Sequence, residues 1–136
     1  MQRRFLGRLE VSAVGLGCAT MTPFYGEPDR ESAIATIRRA RELGSDFLDS
    51  SDAYGAGRNE ELIAEAVAGH RDDYVIASKF GNVGLQGGPR FADGRPEYLK
   101  ECCDKSLKCR IQARCSALRS VVFRRGLSGV GCGCNR

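Results

Sequence analysis

Apolar positions change period several times along the chain, and each change marks an element. Phe5, Leu6, Leu9 and Val11 are grouped around Gly7, a pattern that predicts a short hairpin over 3–11. Residues 13–19 (AVGLGCA) are apolar without alternation, as expected for a strand covered on both faces. Over 29–43, Ala33, Ile34, Ile37 and Ala40 repeat at helical spacing, with Asp29 placed as N-cap and Gly44 as the stop. Phe47 and Leu48 form the next strand. Asn59 is expected to cap a second helix over 60–68, in which Leu62, Ile63, Ala66 and Val67 share one face before Gly69 ends it. Residues 74–78 (YVIAS) read as a third strand, and 80–94 as a long loop with glycine at 81, 84, 87, 88 and 94. Pro96 suits the first position of a third helix that aligns Leu99, Cys103 and Leu107.

Hairpin followed by strand and helix three times over predicts an α/β fold with a parallel sheet and right-handed crossovers. Gly15-Leu16-Gly17 lacks the third glycine of a dinucleotide fingerprint, and no helix opens directly behind it, so a doubly wound nucleotide-binding sheet is not indicated.

Composition alters this picture at one end only. The net charge is +4, with 42% hydrophobic and 28% charged residues, values ordinary for a globular chain. Every acidic residue, however, precedes position 109, so 1–108 carries fifteen basic against seventeen acidic side chains while 109–136 holds six arginines and no acid. A domain of 1–108 followed by a basic Cys/Arg/Gly-rich tail of 109–136 is therefore expected. No run reaches the roughly 18 apolar residues that span a bilayer, and Met1 to Arg8 lacks a signal-peptide core, which points to a soluble, cytoplasmic protein. The seven cysteines, an odd number absent from 19–101, read as free thiols.

The chemistry gathers at strand ends. Asp49 ends the second strand, Tyr54 follows in a glycine-rich turn, and Lys79 ends the third strand. In a parallel array these ends share one rim, with neighbouring strands about 4.8 Å apart. A phenol of ordinary acidity is a poor proton donor at neutral pH, but a neighbouring ammonium stabilises the phenolate, and a carboxylate orients the ammonium. Such a phenol donates a proton to a carbonyl oxygen as hydride reaches the carbon. From spacing alone, a strand-end cap, a rim tyrosine and a solvated lysine remain an open alternative.

The segment 44–60, the ASKFG of 77–81 and the opening LEVSAVGLG together resemble the aldo-keto reductase family over about residues 3–108. The resemblance implies the N-terminal portion of a (β/α)8 TIM barrel, comprising the hairpin and three βα units and thus incomplete. It also implies NAD(P)H-dependent reduction of a small-molecule carbonyl substrate, with NADPH as cofactor and no metal. By the same resemblance Tyr54 is the general acid, Lys79 its partner and Asp49 the counter-ion of the lysine. Gly17, Cys18, Ala19 and Asp49 approach the cofactor, and the loop from Phe80 forms a wall of the substrate site.

Two features depart from the family pattern. Its catalytic histidine, at the end of a fourth strand, has no counterpart after Lys108, and His70 is expected on the opposite rim from Tyr54. The abrupt change at 109 reads as an out-of-frame or aberrantly terminated end, which predicts weak or absent activity and possible self-association through an exposed barrel edge. A non-catalytic half-barrel that binds or regulates a partner is the alternative. Cys109, Cys115, Cys132 and Cys134 match no common zinc spacing, and the tail arginines without aromatic interleaving do not make a nucleic-acid site.

Overall fold

A computed structural model describes residues 1–23, 26–83 and 91–108. The expected tail of 109–136, with its cysteines and arginines, and the loop glycines 84, 87 and 88 lie outside the described residues.

Strands β1 (Arg3–Leu6) and β2 (Leu9–Ser12) form the predicted antiparallel hairpin, turning at Gly7 with a positive φ of 63°. Then come β3 (Leu16–Gly17), α1 (Arg30–Glu42), β4 (Phe47–Asp49), α2 (Arg58–Ala66), β5 (Val75–Ala77) and α3 (Pro96–Lys108). Strands β3, β4 and β5 make a parallel sheet in that order, so the expected α/β alternation is present. The segment expected as one loop over 80–94 contains a second small hairpin, β6 (Asn82–Val83) paired antiparallel with β7 (Phe91–Ala92). Gly81, at φ 99°, is where the chain enters it, and the Asp93 N–H donates to the Gly81 carbonyl at 3.0 Å.

The core lies between the sheet and helices α1 and α2. In-register Leu16, Leu48 and Ile76 run across the three strands, and Ile37 of α1 with Ile63 of α2 covers them. Leu48, Ile37 and Ile63 are completely buried. Each such side chain contributes roughly 1.5–3 kcal/mol relative to exposure. Helix α1 starts as predicted, with the Asp29 carboxylate accepting from the Ser32 N–H at 3.1 Å, and Gly44 follows it at φ 89°.

Two boundaries differ from expectation. The strand predicted over 13–19 shrinks to Leu16–Gly17, because the Val14 carbonyl is taken by the hydroxyls of Ser12 and Ser45 and residues 19–21 turn into a 3-10 helix. Helix α2 begins before its expected cap: Gly57 occupies the cap position at φ 92°, and Asn59 lies inside the first turn. The Asn59 side chain is committed to tertiary partners instead.

Candidate active site

The parallel register puts the end of β4 between its neighbours. Asp49 pairs with Gly17 on one side and Ala77 on the other. Two residues beyond Ala77, the Lys79 ammonium reaches back to both carboxylate oxygens of Asp49, at 2.8 and 2.7 Å. Lys79 is one quarter exposed and Asp49 nearly half, so the pair is open to the rim. Backbone bonds fix its base: Ser50 N–H donates to the Ala77 carbonyl at 2.8 Å, and the Lys79 carbonyl accepts from Asp52 N–H at 3.2 Å and Ser51 Oγ at 3.1 Å.

Tyr54 stands above this pair. Its N–H donates to the Ser51 carbonyl at 3.0 Å, and it opens a tight turn, Tyr54–Gly57, in which Gly55, Ala56 and Gly57 all take positive φ. The turn lifts the half-buried ring until the Lys79 ammonium lies 5.1 Å from its centroid. The three side chains singled out in the sequence are thus brought together. His70, beyond α2, is exposed and lies 3.8 Å from Asp73.

The residues expected near a cofactor divide into two kinds. Gly17 is exposed, a Cβ built on it would meet open space, and Ala19 is half-buried. Gly17, paired in register with Asp49, thus leaves open space beside that carboxylate. Cys18 is completely buried, and its thiol donates to the Leu16 carbonyl. Burial pushes that thiol up to about 12, and the nearby Asp49 carboxylate adds to the effect. Its N–H donates to the Asp49 carbonyl at 2.9 Å, so Cys18 ties the end of β3 to the end of β4 from within the core.

The sequence reading missed a second, buried layer of polar groups. Asn59 donates to the Cys18 carbonyl at 2.7 Å and accepts from Ser50 Oγ at 2.7 Å. Glu60 accepts from Ser78 Oγ at 2.7 Å and from Ser106 Oγ of α3 at 3.0 Å. Burial pushes the Glu60 carboxyl up, the two serine donors oppose this, and the charge of Asp52 adds to the rise. Their signal was present in the helical pattern: Asn59 and Glu60 sit three positions before Leu62 and Ile63 respectively, on the face that points inward.

Comparison with known proteins identifies relatives of this chain. The profile of the Aldo/keto reductase family matches residues 13–111. An uncharacterized oxidoreductase, YqkF, of Bacillus subtilis is 36% identical over 110 residues, which make up 79% of this chain and 34% of that protein. A Glycine max protein named "Probable aldo-keto reductase 1" is 39% identical over 102 residues, 73% of this chain and 29% of its own length. Among solved structures, an aldo-keto reductase from Bacillus halodurans in its holo form superposes with a TM-score of 0.70 at 32% identity, covering 81% of this chain and 36% of that one. The glycerol dehydrogenase of Gluconobacter oxydans gives a TM-score of 0.66 at 29% identity, over 79% of this chain and 35% of the enzyme. The chain therefore spans about a third of the length of these relatives, and members of the family they represent use nicotinamide cofactors. This chain belongs to the aldo/keto reductase family.

Proposed function

We propose that the rim of Asp49, Tyr54 and Lys79 is the proton-handling site of an NADPH-dependent carbonyl reductase, with β3, β4 and β5 as the first three strands of a (β/α)8 barrel in the cytoplasm. The observation that carries this reading is the Asp49–Lys79 ion pair, at 2.7 Å, beneath the Tyr54 ring. When bound, the cofactor supplies hydride to the carbonyl carbon. Tyr54 donates its phenolic proton to the carbonyl oxygen, the Lys79 ammonium stabilises the phenolate left behind, and Asp49 holds the ammonium in place. Gly17 and Ala19 seat the nicotinamide end, and Cys18 supports them from the core.

Activity from the 136 residues alone is expected to be low. Among the described residues the sheet has three strands, whereas a complete barrel has eight and about 250 residues. NADPH titration followed by fluorescence, then carbonyl-dependent NADPH oxidation, tests the reading in the whole chain. Weak NADPH binding with slow turnover is expected, and Tyr54→Phe lowers that turnover by about 100-fold or more without changing binding. Turnover that survives Tyr54→Phe would falsify the role given to the phenol. Parallel titration with NADH checks the preference for NADPH.

A further inference from the structure

From the two consecutive polar residues at the start of α2, we infer that Asn59 and Glu60 form a buried clamp that positions Asp49 and Lys79, each through a serine next to it in sequence. This rests on the reading of Asp49, Tyr54 and Lys79 given above.

Asn59 is completely buried, Glu60 is 3% exposed, and both lie on the inward face of the helix that follows the Tyr54 turn. Adjacent helical residues point about 100° apart, so the two side chains reach different strands. Asn59 accepts a hydrogen bond from the hydroxyl of Ser50, the residue after Asp49, and donates to the carbonyl of Cys18 just beyond β3. Glu60 accepts hydrogen bonds from the hydroxyl of Ser78, the residue before Lys79, and from that of Ser106 on α3. Ser50 and Ser78 are themselves buried, as is Ser106. The hydroxyls of Ser50, Ser78 and Ser106 thus all donate to the first turn of α2, the helix that directly follows the Tyr54 turn.

The consequence is positional. Asp49 and Lys79 sit on separate strands, and their ion pair is partly open to solvent. Partly exposed ion pairs are weak restraints on their own. Buried hydrogen bonds to the flanking serines fix both backbones from inside, so that the carboxylate and ammonium meet where Tyr54 can use them. Asn59 and Glu60 touch neither substrate nor cofactor and are positioning residues.

Trace acetylation of the whole chain with acetic anhydride, read residue by residue by mass spectrometry, tests the clamp without requiring cofactor or turnover. A lysine held in an ion pair acylates slowly, and exposed Lys100 serves as the internal reference. Asn59→Ala, Glu60→Ala and the double variant Ser50→Ala/Ser78→Ala are expected to raise Lys79 labelling about three-fold or more, as Asp49→Asn does. Glu60→Gln, which keeps an acceptor for Ser78, retains the slow labelling of the unaltered chain. Unchanged Lys79 labelling in the clamp variants, alongside a lowered melting temperature and a positive Asp49→Asn control, reduces Asn59 and Glu60 to structural residues and overturns the inference. If Asp49→Asn itself leaves Lys79 unchanged, the ion pair is wrong, and the active-site reading falls with the clamp. Should the alanine variants at 59 and 60 not fold, the serine double variant decides, since it removes only two hydroxyl groups.

Discussion

Tyr54 depends on a backbone conformation that most residues resist. Gly55 and Ala56 stand at φ 61° and 54°, and Ala56 is the one non-glycine residue with positive φ among the described residues. A left-handed alanine costs roughly 1–2 kcal/mol, against about 0.5–1 kcal/mol of extra chain entropy for glycine. Ala56→Gly is therefore expected to stabilise the chain by about 0.5 kcal/mol, and Ala56→Val, with its branched Cβ, to destabilise it by more than about 1 kcal/mol. Urea denaturation of the two variants measures both, and changes of the same sign would show that the turn is not strained at this position. Gly55 is under a further restriction: a Cβ there would sit 3.0 Å from Thr22 Cγ2. At this scale the sequence was legible for residue types and not for their surroundings. Asp49, Tyr54 and Lys79 stood out by chemistry and by spacing along successive strands. Asn59 looked like a cap because a helix start favours asparagine, and nothing local reveals that its partners lie just beyond β3 and β4.

Two carboxylates join elements to one another, and they respond to pH in opposite directions. Asp46, just before β4, holds the hairpin: it pairs with Arg3, and its Oδ1 accepts from Ser12 N–H at 2.8 Å. Burial alone would push its carboxyl up, but the Arg3 guanidinium and the donors of Ser12 together bring it below the usual range. Its contribution is therefore present above the unfolded value of about 3.9 and is lost as pH falls through the folded value. Glu60, linking α2 to β5 and α3, is raised above its ordinary 4.5, so the folded state holds that proton more tightly than the unfolded chain does. Stability on its account declines as pH rises above 4.5 through the folded value. Denaturation free energies measured between about pH 2 and 8 should show both slopes. Asp46→Asn lowers stability by about 1 kcal/mol at neutral pH and converges with the unaltered chain in acid. Glu60→Gln flattens the decline above 4.5, and an unchanged decline would assign it to another group, such as Asp52, which burial also raises. Elements with a full helical stripe, α1 and α3, were readable to within a residue or two. Strands β4 and β5 were readable to within a residue as well, whereas β3 was not, because its start is set by the Ser12 and Ser45 hydroxyls that claim the Val14 carbonyl and not by hydrophobic period.

For the molecule as a whole, the decisive quantity is how much of the sheet is paired. Among the described residues β3 and β5 are the outer strands of a three-stranded parallel sheet, each with one side unpaired. Large apolar side chains lie exposed near the first of these and on the hairpin: Val14 at 60% and Phe5 at 71%. Open parallel edges beside apolar surface are templates for association. We propose that the 136-residue chain self-associates through these edges. Sedimentation velocity from about 1 to about 100 μM should show a sedimentation coefficient rising with concentration. Val14→Lys, which sets a charge two residues before β3, should shift that rise to higher concentration without loss of helical circular dichroism. A single monomeric species across the whole range would mean that the edges are covered within one chain, and the expectation of association would then be withdrawn, leaving the Asp49–Lys79–Tyr54 geometry untouched.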